Sequence, residues 1–201
     1  MKAVVINCTL KRSPEPSNTD ALAGVVSAEL EKHGVEVETI RAVDLDIPPG
    51  VQTDMGEGDP WPEIHEKLVN SQILIVASPT WATHHSSVAQ RVIERMDAML
   101  SEKDDDGRPI NFNRVAGVVA TGNEDGAHNV ISAISHALNE FGYTLPGQGW
   151  TYWNQGPGPG DTYLDTETGH EWSHSTGRAM ASNLVATAKA LRANPIPPPP
   201  S

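Results

Sequence analysis

The chain is expected to fold as a doubly wound α/β domain: a five-stranded parallel sheet, strand order 2-1-3-4-5, with helices on both faces. Three observations lead there. Short runs rich in Val and Ile recur at wide intervals, as strands buried on both faces require. Between them, apolar residues recur at helical spacing. The strand and helix patterns alternate along the chain, the signature of a parallel sheet covered on both sides.

The first strand is KAVVINC (2–8), and Leu22, Val25, Val26 and Leu30 give the helix after it. VEVETIR (35–41) begins by alternating apolar with acidic residues, which marks a half-exposed edge strand and sets the order 2-1-3-4-5. A short helix is expected over Pro62–Asn70, then a third strand QILIVAS (72–78). Val88, Val92, Met96 and Met99 stripe the next helix, and RVAGVVAT (114–121) is the fourth strand. Val130, Ile131, Ile134, Leu138 and Phe141 stripe another helix. The weakest strand signal is GYTLPGQGWTYW (142–153), where Pro146 and the glycines interrupt pairing. Met180, Leu184, Ala188 and Leu191 give the last helix.

At 201 residues the chain fits one domain, here residues 1–193, followed by a Pro-rich extended tail, NPIPPPPS (194–201). Fourteen basic residues against 26 acidic ones leave a formal charge of −12, with no Lys/Arg cluster, so a nucleic-acid partner is not expected. One cysteine, Cys8, excludes an internal disulfide and any all-cysteine metal cluster. The apolar run in MKAVVINC is too short for a signal peptide, and no stretch approaches a membrane span. A cytoplasmic protein is expected.

In such a sheet, ligands bind beyond the carboxyl ends of the strands, near the switch in strand order. Three loops fall there. NCTLKRSPEPSNTDAL (7–22) comes after strand one and runs into a helix opening near Ser17, Asn18 and Thr19. Free N–H groups at that helix start, the hydroxyls of Thr9, Ser17 and Thr19, and Lys11 or Arg12 suit a monophosphate. The plainer reading is that Ser17 or Asn18 caps the helix. Neither G-x-G-x-x-G nor the Walker pattern is present. SPTWATHHSS (78–87) leaves strand three with Trp81 placed for a planar ligand, or simply for packing on a neighbouring helix; Ser86 or Ser87 caps the helix striped by Val88 and Val92. His84 and His85 read as polar loop residues. In TGNEDGAHNV (121–130), Gly122 and Gly126 let the backbone approach a ligand or turn with positive φ; alone it reads as an ordinary turn and cap.

Together these loops resemble the flavodoxin-like flavoproteins, above all the NAD(P)H-dependent FMN reductase and quinone reductase branch. The resemblance covers roughly residues 1–145 by order of elements. It implies FMN as cofactor and NAD(P)H as co-substrate, with a homodimer or higher homo-oligomer as the assembly. Thr9, Lys11, Ser17, Asn18 and Thr19 match the family's phosphate loop, with Arg12 the alternative to Lys11. Pro79, Thr80, Trp81, Ala82 and Thr83 match the segment that holds the ribityl chain and one ring edge. Thr121, Gly122, Asn123, Glu124, Asp125 and Gly126 match the loop on the ring's other side. The first loop is longer than the family's, with Pro14 and Pro16, and residues 150–175 have no counterpart in the smallest flavodoxins. They are expected to form a lid or a subunit contact.

One pattern competes. His170-Glu171-Trp172-Ser173-His174 is an H-E-x-x-H match, the two-histidine zinc grip of metallohydrolases. Such an enzyme needs a firm helix and a third ligand. Gly169 precedes the pattern, Ser175-Thr176-Gly177 come after it, and no His, Asp or Glu lies beyond His174. A polar loop before the last helix is therefore expected. The function expected is reduction of a small acceptor, such as a quinone or free flavin, by NAD(P)H through FMN. The alternative is a flavodoxin-type electron carrier to a protein partner.

Overall fold

The structure is a computed structural model and describes residues 1–156 and 160–200. Five parallel strands form the sheet: β1 (Lys2–Asn7), β2 (Glu36–Arg41), β3 (Ile73–Trp81), β5 (Val115–Thr121) and β6 (Trp150–Trp153). Their spatial order is β2-β1-β3-β5-β6, so the parallel strands taken alone run 2-1-3-4-5 as expected. One strand lies outside that scheme: β4 (His84–His85) folds back antiparallel on β3, pairing Thr80 with His85 and Trp81 with His84. The two residues at its bend, Ala82 and Thr83, both have positive φ, 48° and 67°. This hairpin converts the expected histidine loop into paired backbone.

Helices α1 (Asn18–Lys32) and α5 (His170–Ala193) cover one face of the sheet, and α2 (Trp61–Val69), α3 (Ser87–Met96) and α4 (Ala127–Glu140) cover the other. Successive side chains of each strand serve opposite faces. Val4 and Ile6 of β1 join the core under α2, α3 and α4, while Ala3 and Val5 join the core under α1 and α5. Gly117 in mid-β5 allows close approach at the sheet's far side, since a Cβ there would lie 2.6 Å from the Gly149 carbonyl oxygen. Under α2, the Arg95 guanidinium pairs with Asp59 at 2.6 Å in full burial and lies over the Trp61 ring.

The segment expected to be a polar loop before the last helix is instead the first two turns of α5, which begins at His170. Gly169 enters with left-handed φ of 77°, and Ser173 and Gly177 extend the buried stripe that continues through Met180, Ala181, Leu184, Val185 and Ala188. Thr151 of β6 donates to the Ser173 carbonyl at 2.8 Å. Packing against β6 and α1 overrides the poor helix propensity of the Gly- and Ser-rich start. The tail is held where it leaves α5, by the reciprocal Asn113–Ile196 pair of hydrogen bonds.

Candidate functional site

A cleft of about 240 Å³ opens at the carboxyl ends of β1, β3 and β5, where the strand order switches. From the first loop it is lined by Thr9, Leu10, Lys11, Asn18 and Thr19, from the second by Pro79, Thr80 and Trp81, and from the third by Thr121, Gly122 and Asn123. Trp153 and Thr162 complete the wall. A larger hollow of about 510 Å³ lies at the opposite end of the sheet, lined by charges of both signs including Lys2, Glu36, Glu63 and Lys67. Open parallel sheets place their ligands at the other end, beyond the carboxyl ends of the strands.

The first loop is organised by buried side chains. Asn7, fully buried at the end of β1, accepts from the Thr9 N–H and donates to Asp20, which in turn holds Arg41 at 3.0 Å. Ser17 is the helix cap, accepting from the Asp20 N–H at 3.2 Å. The N–H groups of Asn18 and Thr19, in the first turn of α1, have no intrahelical acceptor and face the cleft end of the helix. Thr19 and Thr121 share a hydroxyl–hydroxyl bond of 2.7 Å, so the first and third loops are joined beneath the cleft. Lys11 is the cation at the cleft; Glu15 lies 3.4 Å from its Nζ.

Not every residue that the sequence nominated lines the cleft. Arg12 points into a neighbouring hollow, on the other side of the first loop. Ser17 is spent on capping. Ala82 and Thr83 form the exposed bend of the β3–β4 hairpin. Glu124 lies outside the lining, Asp125 accepts from the Gly126 N–H, and Gly126 starts α4 with φ 128° against Thr83. Leu10, Trp153 and Thr162 were not nominated. Leu10 lay between nominated residues and Trp153 in a conspicuous aromatic run, whereas Thr162 carried no sequence signal.

Thr162 arrives through the 150–175 segment, of which residues 157–159 lie outside the described residues. Its described part crosses the cleft edge as a strap. Asn18 Oδ1 accepts from the Leu164 N–H at 3.1 Å and from the Thr162 hydroxyl at 3.3 Å, and Asn123 Nδ2 donates to the Gly160 carbonyl at 3.2 Å. Trp153 Nε1 donates to the Thr168 carbonyl at 2.7 Å. The two histidines of the H-E-x-x-H pattern tie down the same strap. His170 Nε2 donates to the Tyr163 carbonyl at 2.9 Å, and the Tyr163 hydroxyl meets His174 Nε2 at 2.6 Å. Burial raises the Tyr163 pKa, and burial together with the neighbouring His170 and Arg178 lowers that of His174, so the hydroxyl donates to a neutral imidazole. Among the described residues no group of three or more His, Cys, Asp or Glu is placed to hold a metal.

One observation independent of the loops' composition is consistent with a polar ligand such as a flavin mononucleotide in the cleft. Thr80 Oγ1 is buried at the cleft wall without any hydrogen-bond partner. A buried, unpaired polar atom costs about 1–3 kcal/mol, which a hydroxyl- or amide-bearing ligand recovers. Beside it, Trp81 is 55 % exposed, an indole left open at the mouth.

The fold, with its cleft at the switch in strand order, is flavodoxin-like. The sequence model of the NADPH-dependent FMN reductase family matches residues 1–158. The chain is 31% identical over 205 residues to the 8-demethyl-8-aminoriboflavin-5′-phosphate synthase of Streptomyces davaonensis, covering 97% of this chain and 80% of that protein. A solved structure of RosB with bound 8-demethyl-8-formylriboflavin-5′-phosphate superposes with a TM-score of 0.90 at 30% identity, over 98% of this chain and 82% of that one. The chain is also 40% identical over 200 residues to a Mycobacterium bovis protein named divalent metal cation transporter MntH, covering 96% of this chain but only 29% of that protein's length. The similarity there concerns a segment, and among the described residues no helix is long and apolar enough to cross a membrane. The chain belongs to the NADPH-dependent FMN reductase family.

Proposed function

We propose that FMN lies in this cleft with its phosphate at Thr9, Lys11, Asn18 and Thr19, and that the enzyme passes electrons from NAD(P)H to a small acceptor such as a quinone or free flavin. Bound FMN supplies the hydride chemistry. The chain's own residues bind, orient and enclose. The first turn of α1 offers N–H groups and hydroxyls to the phosphate, with Lys11 as the one lining cation among the described residues. Thr80 and Asn123 offer polar atoms to the ribityl chain and ring edge, and Trp81 offers a face for stacking. The strap through Thr162 acts as a lid on one side. The observation that carries the reading is the convergence of three loops on one cleft that contains an unpaired buried hydroxyl.

The test is steady-state oxidation of NADPH and NADH by the FMN-loaded protein with a quinone or free flavin as acceptor. Turnover supports the reductase. A flavin that is reduced only by a protein partner, without such turnover, supports the flavodoxin-type carrier. Gel filtration with light scattering tests the expected homodimer.

A second reading has its own support. The whole-length similarity to a flavin-phosphate synthase, including a TM-score of 0.90, favours a flavin phosphate as substrate in this cleft as well as cofactor. Mass spectrometry of the flavin recovered after incubation with reductant, oxygen and amine donors distinguishes the two. An unchanged FMN mass supports the reductase.

A further inference from the structure

Beside the flavin cleft lies a second hollow, of about 220 Å³, lined by Arg12, Ala42, Val43, Leu45, Asp46, Ile47, Ser87, Val88 and Arg91. The same two connections wall both. Leu10 and Lys11 of the β1–α1 loop face the flavin cleft while the next residue, Arg12, faces this hollow. Pro79 to Trp81 of the β3–α3 connection face the cleft while Ser87 and Arg91, at the start of α3, face the hollow. A ligand engaged at the mouth of the cleft can therefore continue over the first loop into it.

The two arginines come from different elements and converge. Four of the eight arginines are matched: Arg41 by Asp20, Arg95 by Asp59, Arg108 by Asp104 and Asp106, and Arg114 by the carbonyls of Val69, Ser71 and Ile110. Among the described residues neither Arg12 nor Arg91 is in an ion pair. Arg91 is fixed by one bond, from Nη1 to the Ile47 carbonyl at 2.7 Å, which leaves its other N–H groups free to donate. Asp46 brings one carboxylate to the same hollow. The nearby Asp44 is occupied by both the hydroxyl and the N–H of Ser13.

Two guanidinium groups, a serine hydroxyl and one carboxylate suit a phosphorylated ribose. Arginine forks match the oxygens of a 2′-phosphate, whereas a carboxylate facing the 2′ position would favour the unphosphorylated ribose, so Asp46 is left to accept from the 3′-hydroxyl. Resting on the function proposed above, we infer that this hollow holds the adenosine 2′-phosphate end of NADPH, with Arg12 and Arg91 as the residues that select NADPH over NADH. Arg12 thus binds a phosphate, as its sequence position suggested, but that of the dinucleotide and not that of the flavin.

The test separates this inference from the proposal it rests on. Calorimetric titration of the FMN-loaded protein with 2′,5′-ADP and with 5′-ADP reads the 2′-phosphate directly, without turnover. The expected result is at least tenfold tighter binding of 2′,5′-ADP, reduced about tenfold or more in Arg91→Gln and in Arg12→Gln, and partly restored in Arg91→Lys. The affinity for FMN, by fluorescence quenching, stays within about twofold in each variant. In steady state, the KM for NADPH rises in the variants while that for NADH holds. Equal binding of the two adenosine phosphates by the wild-type protein, or discrimination that survives both substitutions, overturns the assignment of the hollow even where NAD(P)H oxidation is brisk. Discrimination without any NAD(P)H oxidation upholds the hollow and removes the reductase reading instead. A variant that loses FMN affinity as well places that arginine at the flavin, against the inference.

Discussion

Thr19 and Thr121 stand 102 positions apart in the chain, yet their hydroxyls meet at 2.7 Å and are both buried. That bond fastens α1 to the end of the interior strand β5, at the wall of the cleft. Thr19→Val removes it and leaves the Thr121 hydroxyl buried and unpaired. It also removes a lining donor. FMN affinity is expected to fall about 10- to 100-fold, from the loss of roughly 1.5–3 kcal/mol of charge-assisted bonding. Riboflavin, which lacks the phosphate, should lose much less. Fluorescence quenching with both ligands measures the difference.

Ser17 gives the contrasting outcome. Its oxygen accepts from the Asp20 N–H and caps α1. Ser17→Ala should lower stability by about 1 kcal/mol and leave the preference for FMN over riboflavin intact. Urea unfolding of the apoprotein, beside the same two titrations, decides it.

The two tryptophans of the cleft should separate binding from folding. Trp81 is exposed in the mouth, so Trp81→Ala should change stability by no more than about 0.5 kcal/mol and weaken FMN about 2- to 10-fold through lost stacking. Trp153 is 3 % exposed and its Nε1 is committed to Thr168. Trp153→Ala should cost about 3–5 kcal/mol of stability. Thermal melts of the two apoproteins give the comparison.

The histidine pair should act on the strap and not on a metal. His170→Ala with His174→Ala should leave zinc at background and weaken FMN several-fold as the strap loosens, read by elemental analysis and flavin titration. Stoichiometric zinc in the wild type, lost in the double variant, would restore the hydrolase reading. His174 also has a pH signature. Its folded pKa lies below the ordinary 6.5, because burial, then His170 and Arg178, disfavour the imidazolium. Protons therefore bind the unfolded chain first. The contribution is present above 6.5 and is lost as pH falls through that value toward the folded pKa. Unfolding free energies of wild type and His174→Gln, measured across pH 5–8, should converge at the acid end.

The buried Arg95–Asp59 pair predicts acid sensitivity of a different kind. Burial alone would raise the Asp59 pKa, but Arg95 and the N–H groups of Met55 and Trp61 hold it at about 2. Its stabilisation is present above the ordinary carboxylate value of 3.8 and disappears as pH falls toward 2. Asp59→Asn leaves a buried guanidinium without its counter-charge and should cost about 3–5 kcal/mol at neutral pH by urea unfolding.

The parts of the fold legible in the sequence are those with a local periodic signal. KAVVIN, ILIVAS and VAGVVAT are uninterrupted apolar runs because both faces of a central parallel strand are buried, and the acidic alternation of EVETIR marks the edge. The start of α5 was not legible. The residues it buries first, Ser173 and Gly177, are small and not apolar, so no hydropathy stripe marks them. The β3–β4 hairpin was hidden for a similar reason, since two paired residues carry no period at all.

Sequence by itself determined that three loops meet beyond the carboxyl ends of the strands, because strand order and alternation dictate where the connections emerge. It also determined the hydroxyl-rich chemistry of the first loop. Only the tertiary structure decided which side of a loop each side chain faces: Lys11 toward the cleft at the strand-order switch, and its neighbour Arg12 toward a different hollow. Adjacent residues in an irregular segment have no fixed angular relation, so their directions are set by the groups packed around them. The same holds for His170 and His174. Their spacing spells a metal site, but Tyr163 from the strap occupies both Nε2 atoms, and that contact exists only once the chain has folded back on itself.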